Sequence, residues 1–306
     1  PKSIGGVSLA HALNTRGGVH SEFTIRREAA DSFYLVSAGA LQRLDHDYLK
    51  KHMPRDGSVQ FTQLTGAHGV LVLAGPKARL LLERVTDADL SNEAFRWLTA
   101  QDIVMGMAPV NAMRVNFVGE LGWELHHPIE YQNHIFDTLF GAGEDLGLKP
   151  FGIRAMDTMR LEKSYRMVGT ELSIEYSAYE SAMDRFVKPD EGDFLGRDAL
   201  LAWQEVGMNN RLVTLEVLVV DDADALGHDA LLKDGEMAGR ATSGGFGFRV
   251  DKSLALGMVK PELAETGSQL EIEILGKTYA ATVIPDSPFD PKNERLRDVN
   301  GANDQG

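Results

Sequence analysis

Leu270-Glu271-Ile272-Glu273-Ile274-Leu275 alternates apolar and charged residues. Side chains on a strand point alternately to opposite faces, so this pattern specifies a strand with one buried face. Gly276-Lys277 reads as a two-residue turn of the Gly-first kind, and residues 278–284 return beside the first strand. This hairpin commits the last third of the chain to antiparallel β structure. Residues 211–220 form another long β-rich run. Together they predict a small antiparallel, barrel-like β domain over residues 208–290, opening near Gly207-Met208-Asn209-Asn210. Residues 291–306 are a polar tail, expected to be disordered.

The preceding part, residues 1–207, mixes strands and helices. Glu22-Phe23-Thr24-Ile25-Arg26 alternates and should pair with Ser32-Phe33-Tyr34-Leu35-Val36 as a hairpin. A helix is expected over 40–51, a short apolar strand over 70–74, and a helix from Gly75-Pro76 to Arg84 with proline in its first turn. Residues 110–118 read as a strand with Met113, Val115 and Phe117 on one face. Gly119-Glu120-Leu121-Gly122 makes a turn and Trp123-Glu124-Leu125 a second strand. Helices follow over 130–146 and 152–163, the first with Ile135, Leu139, Ala142 and Leu146 at helical spacing. The order predicts an α+β fold of antiparallel sheets with helices on one side.

The 306 residues suffice for about two domains of ordinary globular composition, with 43% hydrophobic and 25% charged residues. A net charge of −14 opposes binding to a phosphate backbone, so no nucleic-acid partner is expected, although one small anion could still sit in a local basic pocket. No run reaches the roughly 18–20 apolar residues of a membrane span, and no membrane partner is expected. The N-terminal residues show no signal-peptide pattern, which makes the cytoplasm the default compartment. Cysteine is absent, which excludes disulfides, thiolate metal sites, iron–sulfur clusters and a cysteine nucleophile. No phosphate loop, dinucleotide fingerprint, HExxH zinc motif or hydrolase elbow occurs. Ser243-Gly244-Gly245-Phe246-Gly247-Phe248 is better read as a turn or bulge than as a phosphate cradle. His126-His127 is a poor metal pair, because adjacent strand residues face opposite ways.

Any chemistry therefore falls to carboxylates, histidine, tyrosine, arginine or the backbone. Glu124 projects opposite to Trp123 and Leu125 on its strand and could accept two parallel hydrogen bonds from a planar, amidine-like ring edge. The alternative is a solvent-facing strand residue. Glu22 opens a strand behind Gly17-Gly18 and shares a face with Thr24 and Arg26, well placed to meet a ligand. The alternative is an ordinary ion pair with Arg26. Arg160-Leu161-Glu162-Lys163, with Tyr165 and Arg166, forms a charged cluster at a helix end. It is either a solvated helix face or a contact for an anion or substrate.

Several of these segments together resemble one family. Asn14-Thr15-Arg16-Gly17-Gly18-Val19-His20-Ser21-Glu22 is similar to its Asn-x-x-Gly-Gly-hydrophobic-x-x-acid signature. Phe117-Val118-Gly119-Glu120-Leu121-Gly122-Trp123-Glu124-Leu125 resembles its Tyr-x-Gly-Glu-x-Gly-x-Glu signature. Met159 to Arg166, Thr242 to Gly247 and Ala255 to Val259 match further blocks in order. The family is the aminomethyltransferases, the T-protein of glycine cleavage. Asp193-Phe194-Leu195-Gly196-Arg197 and Asp290-Pro291-Lys292-Asn293-Glu294-Arg295-Leu296 favour the branch that forms the C-terminal folate module of dimethylglycine and sarcosine dehydrogenases.

The resemblance implies one-carbon transfer to tetrahydrofolate, giving 5,10-methylenetetrahydrofolate. The methylated amine would be oxidised by a flavin (FAD) domain or partner subunit that this sequence does not contain. The family's catalytic aspartate falls on Glu22 and its pterin-binding glutamate on Glu124. Phe117 stands where the family has a ligand-site tyrosine, keeping a ring to stack but no hydroxyl. Met156, before Asp157, stands where T-proteins carry an arginine. Tyr165 and Arg166 fall in the third block as further cofactor contacts. The family also has a segment before the Asn14 signature that completes the first sheet, so a larger chain or a partner is expected, with an exposed sheet edge or apolar surface where it packs. Other readings are a folate-dependent demethylase of another methylated substrate and a non-catalytic folate-binding or structural module.

Overall fold

The computed structural model describes residues 1–218 and 223–298. The end of the expected 211–220 run and the tail from 299 lie outside the described residues. Contacts divide the chain into two compact units. The first holds Pro1–Ala10, Phe23–Phe151 and the described residues from Lys292 onward, and the second holds His11–Glu22 and Gly152–Pro291.

The chain opens with β1 (Val7–Leu13), β2 (Val19–Arg27) and β3 (Phe33–Val36), which form a three-stranded sheet in that order. β2 and β3 pair as the expected hairpin, with Arg26 opposite Tyr34. Helix α1 (Gln42–His52) follows, close to the expected span. A second sheet has the order β4-β7-β6-β5, built from β4 (His68–Ala74), β5 (Ala100–Met105), β6 (Ala108–Met113) and β7 (Gly122–Pro128). All of its pairings are antiparallel. Helices α2 (Ala78–Glu83) and α3 (Gln132–Gly143) cover one face. Leu73, Trp123, Leu125, Val110 and Ile103 pack there against Leu81, Leu82, Ile135 and Leu139. Burial of these side chains removes apolar surface worth about 25 cal/mol per Å² from water.

Strand alternation puts a different set on the opposite face. Val72 and Met113 flank Glu124 on the neighbouring strands, and Val70 and Asn111 flank His126. This face is the one that positions the candidate site.

Two expectations fail around the second sheet. The strand expected over 110–118 stops at Met113, so Val115 and Phe117 do not continue its face. Asn116 is the reason. Its side-chain oxygen accepts from the Val118 and Gly119 amides at 3.0 and 3.1 Å, and its amide donates to the Glu120 carbonyl at 2.8 Å. These local bonds replace ladder bonds and fold residues 114–121 into a loop. Helix α2 starts at Ala78, later than Gly75-Pro76, because Gly75 has φ +133° and lies outside helical space.

The second unit contains α4 (Ile153–Leu161), α5 (Arg197–Val206) and a closed six-stranded barrel in the order β10-β11-β8-β13-β12-β9. Its strands are β8 (Arg211–Val217), β9 (Ala230–Lys233), β10 (Glu236–Gly247), β11 (Lys252–Val259), β12 (Gln269–Ile274) and β13 (Lys277–Ile284). Val213, Leu215, Leu231, Ile272, Ile274 and Val283 fill the interior. A short helix, α6 (Glu294–Arg297), belongs to the first unit and ends the described chain; burial of Leu296 and Asp298 orders residues 292–298, where a disordered polar tail was expected.

The hairpin read from Leu270 to Ile284 is present, with a shifted turn. Ile274 pairs with Lys277, so the loop residues are Leu275 and Gly276. Both have positive φ, +49° and +78°, as a type I′ turn requires. The Gly-rich run 243–247 lies inside strand β10 and not at a turn, and a register shift falls just before it, between Ala241 and Ser243. Among the described residues no helix is long and apolar enough to cross a membrane.

Candidate functional site

Glu124 sits in the middle of β7, where the alternation that buries Trp123 and Leu125 turns it to the other face. Its side chain is 22% exposed, which decides against a fully solvated strand residue. Oε2 lies 3.1 Å from Nε2 of the buried His126, two positions along the same face. Among the described residues Oε1 has no hydrogen-bond partner. An ionised carboxylate offers about four lone-pair sites, so a single bond from His126 leaves both oxygens able to accept more. Val70 and Val72, 45% and 40% exposed, give this face an apolar border. A carboxylate with open acceptors beside exposed apolar side chains suits a flat heterocycle with adjacent N–H donors.

The loop leading into β7 carries Glu120 and Phe117. Gly119 has φ +73°, which lets Asn116 close the loop. Glu120 is buried and lies 3.4 Å from the Arg295 guanidinium. Phe117 is half-buried within the loop.

Glu22 belongs to the second unit. The turn before it is built by Asn14, whose side-chain oxygen accepts from the Arg16 and Gly18 amides at 2.8 and 3.1 Å. Gly17 has φ +78°, and a Cβ on Gly18 would stand 2.5 Å from the Ile174 carbonyl oxygen. The Asn-x-x-Gly-Gly pattern is therefore a steric and hydrogen-bonding requirement of the turn. Glu22 does not pair with Arg26. Its Oε2 lies 2.9 Å from His11 Nε2, on the adjoining strand β1, and Arg26 instead makes two 2.8 Å bonds to Asp102. The Glu22 side chain is 22% exposed, so it keeps access to solvent or ligand.

The charged cluster at the end of α4 is not a solvated helix face. Arg160 is buried and donates to Asp157 at 2.7 Å, to the Tyr165 carbonyl at 3.0 Å, to Glu171 at 3.1 Å and to Ser243 at 2.8 Å. Glu171 is fully buried and also accepts from Thr170 and Thr242. Burial alone would raise the Glu171 pKa, but Arg160 and the hydroxyls of Ser243, Thr242 and Thr170 together hold it below the usual carboxylate value. Tyr165 is half-buried. Arg166 donates to Asp286 at 2.6 Å and to the Ser164 and Ser181 carbonyls at 2.7 and 3.2 Å.

The sequence-selected residues thus divide between the units, with Glu124 and Phe117 in the first and Glu22, Tyr165 and Arg166 in the second. The structure adds His11, His126, Tyr34 and Asn116 to them. His126 was findable: it stands two residues after Glu124, and a period of two puts both on one face. His127, on the other face, donates from Nε2 to the Gln132 side-chain oxygen at 2.8 Å. A cavity of about 440 Å³ in the first unit is lined by Leu73, Gly75, Lys77, Leu81, Leu148 and Lys149 among others, and by none of the selected residues.

Comparison with known proteins places these features in context. Residues 1–191 match the GCVT N-terminal domain, and residues 210–290 match the glycine cleavage T-protein C-terminal barrel domain. Human mitochondrial dimethylglycine dehydrogenase is 33% identical over 97% of this chain, but the match covers 35% of that protein. The chain therefore spans about a third of the length of this relative. Aminomethyltransferase from Desulfitobacterium hafniense (strain Y51) is 30% identical, with 91% of this chain and 75% of that protein covered. The crystal structure of the glycine cleavage system aminomethyltransferase T from Bartonella henselae has the same fold, with a TM-score of 0.82 at 23% identity over 94% of this chain and 77% of that one. With both domains matched in order, this chain belongs to the glycine cleavage T-protein, or aminomethyltransferase, family.

Proposed function

We propose that this chain is a tetrahydrofolate-dependent one-carbon transfer module. It works with a flavin-dependent dehydrogenase, as a further domain or a subunit, that oxidises a methylated amine of the dimethylglycine or sarcosine kind. The observation that carries this reading is Glu124, a partly exposed carboxylate tied through one oxygen and open at the other. The family membership and the dimethylglycine dehydrogenase relative support it.

When bound, tetrahydrofolate supplies the nitrogens that take up the one-carbon unit. Glu124 would hold the pterin edge by accepting from its paired N–H donors and so fix its orientation. Phe117 offers a ring for stacking. Glu22 stabilises the positive charge of the amine and manages its proton, with His11 holding one carboxylate oxygen. Tyr165 and Arg166 are flanking contacts, and Arg166 would exchange Asp286 for a ligand carboxylate.

The test uses the flavin-containing assembly supplied with methylated amine and tetrahydrofolate. The expected product is 5,10-methylenetetrahydrofolate, with free formaldehyde released instead by the Glu124→Ala variant. Equal formaldehyde release by both proteins would overturn the reading.

A further inference from the structure

His126 is almost completely buried and touches two polar groups, one through each ring nitrogen. Nε2 lies 3.1 Å from Glu124 Oε2, and Nδ1 lies 3.2 Å from the Tyr34 hydroxyl. The Tyr34 and His126 rings meet edge to face at 5.4 Å. The proton positions follow from the partners. An ionised carboxylate can only accept, so Nε2 carries the hydrogen. In that tautomer Nδ1 is an acceptor, and the Tyr34 hydroxyl, 3.2 Å away, donates to it. Burial raises the Tyr34 pKa, and the charges of Glu28 and Glu124 raise it further against an opposing effect of Arg26, so the hydroxyl keeps the proton it donates.

Tyr34 is itself fixed. It lies opposite Arg26 in the β2–β3 hairpin, and Arg26 binds both oxygens of Asp102 on β5 at 2.8 Å. The hairpin is thereby pinned to the second sheet within the first unit. The chain of contacts runs from the pinned hairpin through Tyr34 and His126 to one oxygen of Glu124.

We propose that His126, backed by Tyr34, is the positioning residue for the Glu124 carboxylate. It holds the glutamate in one rotamer with both oxygens presented to a ligand's paired N–H donors, so that little side-chain freedom remains to be lost on binding. This inference rests on Glu124 being the pterin contact. It adds that affinity depends on two residues that touch no ligand.

The experiment is calorimetric titration of the full chain with tetrahydrofolate. His126→Leu is expected to weaken binding about tenfold, the usual scale for losing a bond to a charged group. His126→Gln puts an amide donor near the position of Nε2 and should restore most of the affinity. Tyr34→Phe should weaken binding alone and have no further effect in the His126→Leu background, because it acts through the ring. A merely structural histidine would lower the melting temperature in both His126 variants without this rescue. Wild-type affinity in folded His126→Leu, or no gain in His126→Gln over it, would overturn the proposal. Should His126→Leu fail to fold, unchanged affinity in Tyr34→Phe together with unchanged affinity in His126→Gln would overturn it. Glu124→Ala runs beside them. If it loses binding while the His126 variants do not, only the positioning role falls. If it binds as the wild type does, the pterin assignment falls and the positioning role with it.

Discussion

Glu22 and Glu124 share a local chemistry although they stand in different units. Each side chain is 22% exposed, and each has one oxygen held by a histidine nitrogen, at 2.9 and 3.1 Å. Such a carboxylate is oriented without being neutralised by a permanent cation, which suits a group that must meet a ligand charge or donor. Their proposed roles separate by substitution. Glu22→Gln keeps size and hydrogen bonding but removes charge. It should leave tetrahydrofolate affinity within about twofold, well under the 1.4 kcal/mol that makes a factor of ten. It should slow one-carbon transfer in the flavin-containing assembly by about a hundredfold, the scale of a lost proton-transfer group. Turnover equal to the wild type would remove Glu22 from the chemistry.

At the scale of elements, the Arg160–Glu171 pair ties α4 to the segment after it and to β10. Replacing Arg160 by Met leaves a buried carboxylate without its cation, at a cost of about 3–5 kcal/mol in denaturant unfolding. The pH dependence has a definite sign. In the wild type the folded-state pKa of Glu171 is lowered, so its contribution is fully present above the unfolded value of 4.5 and is lost as pH falls through the lower folded value. Without Arg160, burial raises that pKa, and the residue takes up a proton at higher pH than in the wild type. The deficit of Arg160→Met should therefore shrink between pH 7 and about pH 4. A deficit that stays constant across that range would contradict the charge argument. The β12–β13 turn gives a prediction in the other direction. Leu275 is 80% exposed and holds φ +49°, a conformation that favours glycine and asparagine. Leu275→Asn should stabilise the barrel by about 0.5–1 kcal/mol, read as a rise in melting temperature. Gly18→Ala should destabilise by about 1–3 kcal/mol, because its Cβ would meet the Ile174 carbonyl oxygen at 2.5 Å.

Across the whole molecule, what the sequence made legible was local. The β12–β13 hairpin and the β2–β3 hairpin could be read because alternation and turn lie within one short stretch. The loop at 114–121 could not, because residues 113–117 alternate as a strand would and the deciding bonds come from one side chain, Asn116. The role of Arg160 was hidden for the opposite reason: its partner Ser243 lies 83 positions away. The same holds for the Tyr34–His126 contact, whose members are 92 positions apart. Glu124 was visible because burial of its two neighbours leaves it one direction to point, and the same alternation reaches His126, whereas the Tyr34 behind that histidine was not visible. The family resemblance supplied what patterning lacked, a ligand class for an otherwise anonymous carboxylate. The most direct test of that claim is calorimetric titration of this chain with tetrahydrofolate, wild type beside Glu124→Ala. The account predicts saturable binding by the wild type that disappears in the variant. Undiminished binding by folded Glu124→Ala, or none by a folded wild-type chain, would contradict it.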